Sequence, residues 1–205
     1  AYDALMVRRD KPEVVQVTGL GEKEIKKLVH DYLKEIRKNF PNEDDEKAFY
    51  DKVKLGNPLY ILVALEELRV FGEFYKLADR IKQLPHNVPD LFDQVLKRIE
   101  DDFSEPLVRD CMAFIACGRQ GMTAEELQGL LFAHAPQQDA MAAQLDKLPD
   151  MIWARLYRAF RSYLFDRSGV IDFFHGQLKE AVGKRYLKKE VDRNAIHKII
   201  ADYFE

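Results

Sequence analysis

The string Gly118-Arg119-Gln120-Gly121-Met122-Thr123-Ala124-Glu125-Glu126-Leu127 decides the fold of the second half of the chain, because it joins two apolar helical patterns by a short turn. The pattern before it, over residues 106–117, is almost entirely apolar on one side and predicts a buried helix. Within the string, Thr123 and Glu126 have the spacing of a capping box, in which each side chain caps the backbone N–H of the other residue. A second helix is therefore predicted to begin here.

A β-hairpin is predicted further along the chain. Two runs rich in β-forming residues, Leu164-Phe165 and 170–174, flank the four-residue turn Asp166-Arg167-Ser168-Gly169, and a short connection that contains Gly is typical of a hairpin. Helical patterns surround this hairpin over residues 140–148, 151–163, 177–187 and 194–204. Helices joined by a tight turn and followed by a hairpin are the parts of a winged helix, so we predict a winged-helix domain with C-terminal helices.

The first half of the chain predicts a bundle of helices. Apolar residues recur at helical spacing, with charged residues between them, over residues 21–36, 44–55, 58–71, 74–84 and 89–99. Asn57 and Pro58 favour the N-cap and the first position of a helix. The short β-forming runs Leu5–Val7 and Val14–Val17 predict either a hairpin or the edge of a sheet. The fold class is thus mainly α. The predicted domains are residual strands of a nucleotide-binding core over residues 1–20, a helical domain over 21–103 and the winged-helix domain over 104–205.

Composition excludes several classes of protein. The 205 residues are 47% hydrophobic, which is enough for folded domains, and a formal net charge of -3 offers no general attraction for nucleic acid or anionic membranes. There is no apolar run of the length needed to cross a membrane. Cys111 and Cys117 lie in one apolar helical pattern and are predicted to be small buried side chains, with no disulfide framework. The expected location is the cytoplasm.

The sequence does not carry a pattern for catalysis. The phosphate-binding pattern G-x-x-x-x-G-K-[ST] does not occur, no cluster of His, Cys or Asp has the spacing of metal ligands, and no serine has a histidine and an acid placed to activate it. By itself the chain is therefore expected to be neither an enzyme nor a metal protein, and to show no measurable turnover of ATP.

One surface has the charge for nucleic-acid binding. The predicted third helix of the winged helix carries arginines on the side opposite its apolar residues, and the hairpin turn carries another: Arg155, Arg158, Arg161 and Arg167. Acidic residues flank this stripe, and the helix has no Asn or Gln that is placed to read bases. An ordinary solvated helix face has the same pattern. A nucleic-acid-binding winged helix is therefore the alternative function, and nucleic acid is not the expected partner.

Several short motifs, taken in order, resemble a known family. They are Gly56-Asn57-Pro58-Leu59-Tyr60-Ile61, Glu66-Glu67-Leu68-Arg69-Val70-Phe71-Gly72, Leu84-Pro85 with Val88-Pro89-Asp90-Leu91-Phe92-Asp93, the turn at 118–127, and Phe173-Phe174-His175. Together they resemble the helical and winged-helix domains that follow the P-loop core of STAND-class NTPases, in the NACHT-like branch related to AAA+ proteins. This resemblance spans nearly the whole chain.

The resemblance implies a regulatory role in signal transduction. In such proteins the helical, lid-type domain and the winged helix close over ADP or ATP held by the P-loop domain, and this molecular switch controls self-oligomerisation. The implied partner is a P-loop domain of the same longer chain. ATP or ADP is the implied cofactor of that longer protein, an expected ATPase, and this segment alone is not expected to hold nucleotide tightly. No membrane contact is implied.

The resemblance also assigns binding residues. In this family the proline of the Gly-x-Pro turn packs on adenine, which falls to Pro58, and the winged-helix histidine binds the β-phosphate of ADP, which falls to His175. Arg8 or Arg9 would be the phosphate-sensing arginine at the end of a core strand. A histidine between a strand and a helix also lies near free backbone N–H groups, which suit phosphate. Without the resemblance, a plain helix start at Pro58 and a capping or buried histidine at His175 are the simpler interpretations.

Overall fold

Helices form most of the structure. The computed structural model describes residues 17–71, 76–134 and 147–205. The helices of the first half are α1 (Glu22–Glu35), α2 (Glu43–Val53), α3 (Pro58–Phe71), α4 (Leu77–Gln83) and α5 (Val88–Asp102). The elements that follow are α6 (Glu105–Cys117), β1 (Met122–Thr123), α7 (Ala124–His134), α8 (Asp150–Phe160), β2 (Leu164–Arg167), β3 (Val170–Phe173), α9 (Gly176–Tyr186) and α10 (Glu190–Phe204). The predicted fold class, mainly α with a winged helix and a small sheet, is confirmed.

Side-chain caps fix the starts of α3 and α5, of which α3 begins where the sequence predicts it and α5 begins at Val88, one residue earlier than predicted. At α3 the side-chain oxygen of Asn57 accepts a hydrogen bond from the backbone N–H of Tyr60 at 3.1 Å. Asn87 caps α5 in the same way, accepting from the N–H of Asp90 at 2.9 Å. These bonds satisfy backbone donors that have no partner inside the helix. Pro58 therefore begins α3 without loss of a backbone hydrogen bond.

The turn between α6 and α7 forms the predicted capping box. The N–H of Thr123 donates to the Glu126 carboxylate at 2.7 Å, and the N–H of Glu126 donates to the Thr123 hydroxyl at 3.2 Å. Just before it, Gly121 has a φ of +82°, and a Cβ there would lie 2.5 Å from the carbonyl oxygen of Ile171. Glycine thus allows the turn to approach β3 closely, so that β1 pairs with β3.

The sheet is antiparallel, with strand order β1-β3-β2. In the hairpin, Arg167 is paired with Val170, so the loop contains only Ser168 and Gly169. Both loop residues have positive φ, 57° and 86°, as the twist of a two-residue hairpin requires. The predicted four-residue turn is therefore wrong, because Asp166 and Arg167 still belong to the ladder.

Helix α10 begins earlier than predicted. It starts at Glu190 instead of Asn194, because the carboxylate of Asp192 accepts a hydrogen bond from the N–H of Lys189 at 2.9 Å and caps the helix there. The predicted strand at Leu5–Val7, and all but the last residue of the strand at Val14–Val17, lie outside the described residues, as does most of the helix predicted over 140–148. Among the described helices, none has the length and apolar character required of a membrane span.

One continuous hydrophobic core joins the bundle to the winged helix. Helix α9 packs against both α5 and α6, and α3 packs against α5. At the centre, the ring of Phe92 on α5 meets the ring of Tyr163, just before β2, edge to face with centroids 6.2 Å apart. This packing brings the start of α3 and the start of α9 to the same side of the molecule.

Candidate functional site

His175 lies at the junction of β3 and α9. It is the N-cap of α9 in an extended conformation, and its backbone carbonyl accepts from the N–H of Leu178 at 3.0 Å. Its side chain is exposed and makes no capping hydrogen bond. The imidazole is thus neither a cap nor buried, and it stands at the positive end of a helix with its hydrogen-bonding groups open to a ligand.

A cavity of about 190 Å³ connects this junction to the first turns of α3. Pro58 itself is exposed, and the next residue, Leu59, lines the cavity together with His175. The full lining is Tyr32, Leu59, Leu62, Val63, Glu66, Phe92, Ser162, Tyr163, Phe174 and His175. Residues more than 100 positions apart in the sequence, at the two motifs singled out by resemblance, therefore share one cavity.

A second groove, of about 550 Å³, lies where three helices begin. Asn57 before α3, Asn87 before α5 and Gln177 in the first turn of α9 all line it, together with the cationic or titratable side chains of Lys52 and His86. Helix N-termini carry partial positive charge, although Asn57 and Asn87 already accept from one N–H group each at the starts of α3 and α5. The residues on either side of Pro58 in sequence thus line two clefts, and each cleft also includes the start of α9.

Two adjacent buried glutamates on α3, which the sequence analysis did not assign to any site, form the polar centre of the structure. The carboxylate of Glu66 accepts from the hydroxyl of Tyr32 on α1 at 2.6 Å, and from the hydroxyl of Ser162, between α8 and β2, at 2.7 Å. Arg69 donates to both of its oxygens, at 2.8 and 2.5 Å. Glu66 thereby links the bundle to the winged helix.

Glu67, which points about 100° away from Glu66 around α3, also links the bundle to the winged helix. Its side chain is fully buried, and Arg98 of α5 donates to it, with the shortest distance 2.8 Å. Arg80 of α4 lies 3.4 Å away, and the buried hydroxyl of Tyr163 donates at 3.0 Å. Two acids inside a helix that is otherwise apolar, from Leu59 to Leu68, are the sequence signal that would have indicated this cluster.

A third polar contact joins α9 to α5. The guanidinium of Arg185 donates to both oxygens of Glu100, at 2.8 and 2.6 Å, and to Asp93 at 2.6 Å. The hydroxyl of Tyr186 also donates to Glu100. The hydrogen bonds from Arg185 lower the pKa of Glu100 below its ordinary value, with a further contribution from Tyr186. The winged helix is therefore attached to the bundle by carboxylates on α3 and on α5.

The other sequence-predicted residues lie elsewhere. Arg155 and Arg158 are exposed on α8, Arg161 follows at its C-terminal end, and Arg167 is exposed at the end of β2. None of these four lines the cavity that His175 lines. Arg8 and Arg9 lie outside the described residues.

Comparison with known proteins decides the family. The family model described as the NWD1-like, winged helix-turn-helix domain matches residues 76–193, which is more than half of the chain. The chain belongs to this family. The match starts at the beginning of α4, so the family's domain includes α4 and α5 as well as the winged helix. The division of this NWD1-like chain at residue 104 stays a prediction.

The relatives of this NWD1-like chain are much longer proteins. A TPR repeat-containing protein of Dictyostelium discoideum is 27% identical over 205 residues, covering 98% of the chain and 12% of that protein. The NACHT domain- and WD repeat-containing protein 1 of Homo sapiens is 28% identical over 163 residues, covering 73% and 10%. Telomerase protein component 1 of Rattus norvegicus is 25% identical over 158 residues, covering 70% and 6%. No solved structure matches the chain.

The NWD1-like chain is expected to lose stability in acid through Glu66. Burial alone would raise the pKa of Glu66, but the hydrogen bonds from Arg69, Tyr32 and Ser162 outweigh it and lower the pKa from 4.5 to about 2. Because the unfolded chain takes up this proton first, the stabilisation is complete above the ordinary pKa and is lost as pH falls towards the folded one. The loss is roughly 3 kcal/mol between about pH 5 and pH 2.

Urea unfolding at a series of pH values measures this loss. The variant Glu66→Gln removes the titrating group and should have a shallower dependence on pH in the same window, with Glu100 accounting for part of what remains. Equal slopes for the variant and the unaltered chain would show that Glu66 is not the group responsible.

Proposed function

We propose that this chain is the regulatory part of a STAND-class NTPase, in which the helical bundle and the winged helix close over ADP or ATP held by a P-loop domain of the longer protein. The observation that carries this proposal is the shared cavity of Leu59 and His175, because it brings the start of α3 to the start of α9. The human relative is, by its name, a protein with a NACHT domain, which supports the same assignment.

The side chains at this place suit a nucleotide. A bound nucleotide supplies a phosphate anion and a flat, partly apolar base. The exposed imidazole of His175 stands at the positive end of α9 and is free to donate to a phosphate oxygen. The exposed ring of Pro58 offers an apolar surface for the base. The groove where α3, α5 and α9 begin brings the cation of Lys52 near the same place, together with the carboxylate of Glu180.

Switching requires that the winged helix can leave the bundle. A ligand shifts such an equilibrium only when it binds the two states with different affinity, and His175 provides this difference if it contacts nucleotide in the closed state alone. Opening would also have to separate Ser162 from Glu66, Tyr163 from Glu67, and Arg185 from Glu100. The closed state is therefore held by the protein's own contacts as well as by nucleotide, and self-oligomerisation follows its release.

His175→Ala in the full-length protein is the test of this proposal. Loss of one hydrogen bond to a charged phosphate should weaken ADP binding by about 10- to 100-fold and increase the oligomeric fraction. Titration calorimetry with ADP and sedimentation velocity measure the two effects. His30→Ala, at an exposed histidine on α1 that lines none of the cavities described above, is the matched control and should change neither. Unchanged ADP affinity and unchanged oligomerisation in His175→Ala would refute the proposed role.

A further inference from the structure

Five of the twelve described arginines are held by carboxylates: Arg69, Arg80, Arg98, Arg109 and Arg185. Of the other seven, three lie together on α8 or just after it. Among the described residues, Arg158 and Arg161 have no carboxylate within salt-bridge distance, and neither does Arg155. The guanidinium of Arg155 instead lies 5.6 Å from the ring centroid of Phe103. Stacking of this kind holds the charge in place without neutralising it.

These arginines share one exposed face of the helix with an apolar side chain. Met151, Arg155 and Arg158 follow one another at spacings of four and three, so they lie in one row, and Arg161 continues it. Met151 is 78% exposed, and the neighbouring Ile152 is 41% exposed. Leu156 and Phe160 on the opposite side anchor α8 in the core. We call the row Met151, Arg155, Arg158 and Arg161 the α8 face.

Three acids that flank the α8 face in sequence have partners within the described residues. Asp150 pairs with Lys147 at 3.2 Å. Asp166 accepts from the N–H of Gly169 at 2.8 Å within the hairpin, and Asp172 accepts from the N–H of Phe173 at 2.7 Å. None of these three acids forms an ion pair with an arginine of the α8 face, so those arginines remain available to the carboxylates of an external partner.

We propose that the α8 face is a docking site for an acidic, amphipathic protein segment. Carboxylates of the partner would pair with Arg155, Arg158 and Arg161, and an apolar side chain would cover Met151. Arginine and methionine are both enriched at protein interfaces, and a charged face that also exposes two large apolar residues matches a protein better than a phosphate backbone. This surface is separate from the cavity of His175 and does not depend on the nucleotide proposal.

The experiment selects binders to the whole 205-residue chain from a displayed library of randomised peptides of about sixteen residues, long enough for roughly four helical turns. We expect the enriched peptides to carry acidic residues at spacings of three or four with one large apolar residue. Their affinity for the double variant Arg155→Glu/Arg158→Glu should fall by about tenfold or more, because both attractive pairs become repulsive. Met151→Ala should weaken them by a smaller factor.

Lys23→Glu/Lys27→Glu is the matched control, since it reverses two exposed cations four residues apart on α1. The control should bind the selected peptides as the unaltered chain does. Enriched peptides without acidic character, or equal binding by the two double variants, would overturn the proposal. A DNA or RNA duplex that binds the chain more tightly than the peptides, and loses this binding in Arg155→Glu/Arg158→Glu alone, would overturn it in favour of a nucleic-acid surface.

Discussion

Glu67→Ala is expected to lower the free energy of unfolding by about 3–5 kcal/mol, because it removes one partner from a buried ionic cluster. The carboxylate is fully buried, and it faces Arg98 at 2.8 Å and Arg80 at 3.4 Å. Without it, the mostly buried guanidinium of Arg80 loses its counter-charge, that of Arg98 keeps only the exposed Asp102 at 3.4 Å, and the buried hydroxyl of Tyr163 loses its acceptor. Most of the loss in the free energy of unfolding thus comes from burying these groups without their partner, and not from the lost attraction alone.

Chemical unfolding followed by circular dichroism measures this change. Glu22→Ala is the matched control, since Glu22 also pairs with a cation, Lys26 at 2.6 Å, but both side chains are largely exposed. An exposed pair contributes little to stability, so the control should unfold almost as the unaltered chain does. Similar losses for Glu67→Ala and Glu22→Ala would contradict the assignment of Glu67 as a buried structural charge.

Gly56→Ala is expected to destabilise the chain by about 3 kcal/mol, through backbone strain and a steric clash together. Gly56 has a φ of +68°, and its carbonyl accepts from the N–H of Leu20 at 2.8 Å. A Cβ at this position would overlap the backbone of Leu20, which cannot move aside as a flexible side chain can. The substitution therefore separates residues 19–20 from the start of α3.

Gly169→Ala separates the two contributions to this effect. Gly169 also has positive φ, +86°, but a Cβ there would meet nothing within 4 Å. Only the strain of the left-handed conformation remains, so a loss of about 1 kcal/mol is expected. Thermal unfolding of both variants gives the comparison, and equal losses would mean that contact with Leu20 is unimportant.

Local signals in the sequence predicted the elements of the fold well. The Asn57 cap, the capping box of Thr123 and Glu126, and the turn-forming Gly169 each act within a few residues, so their effect can be read without knowledge of the rest of the molecule. The predicted bounds of the hairpin turn and of α10 were wrong, because a second local interaction competed with the one that the sequence pattern indicated. The ladder extended through Arg167 because cross-strand pairing overrode the turn pattern, and Asp192 started α10 early through a cap that the apolar pattern does not show.

The sequence predicted only some of the residues of the candidate site. Resemblance pointed to Pro58 and His175, and the structure brings Leu59 and His175 into one cavity. The pair Glu66 and Glu67 was quoted as part of a motif without a role, because charges on a helix are usually solvated and their burial depends on helices distant in sequence. Such tertiary partners, Tyr32, Arg98, Ser162 and Tyr163, cannot be inferred from spacing alone.

Where the winged helix joins α3, two neighbouring residues donate to two neighbouring glutamates. The hydroxyl of Ser162 donates to Glu66, and the hydroxyl of Tyr163 donates to Glu67. Neighbouring positions on a helix point about 100° apart, so a slip of α3 by one residue would turn both carboxylates away from both hydroxyls at once. The two hydrogen bonds can therefore form together in only one register of the winged helix on α3. Any second arrangement of the winged helix must be a discrete alternative with its own partners, and not a gradual adjustment of this one.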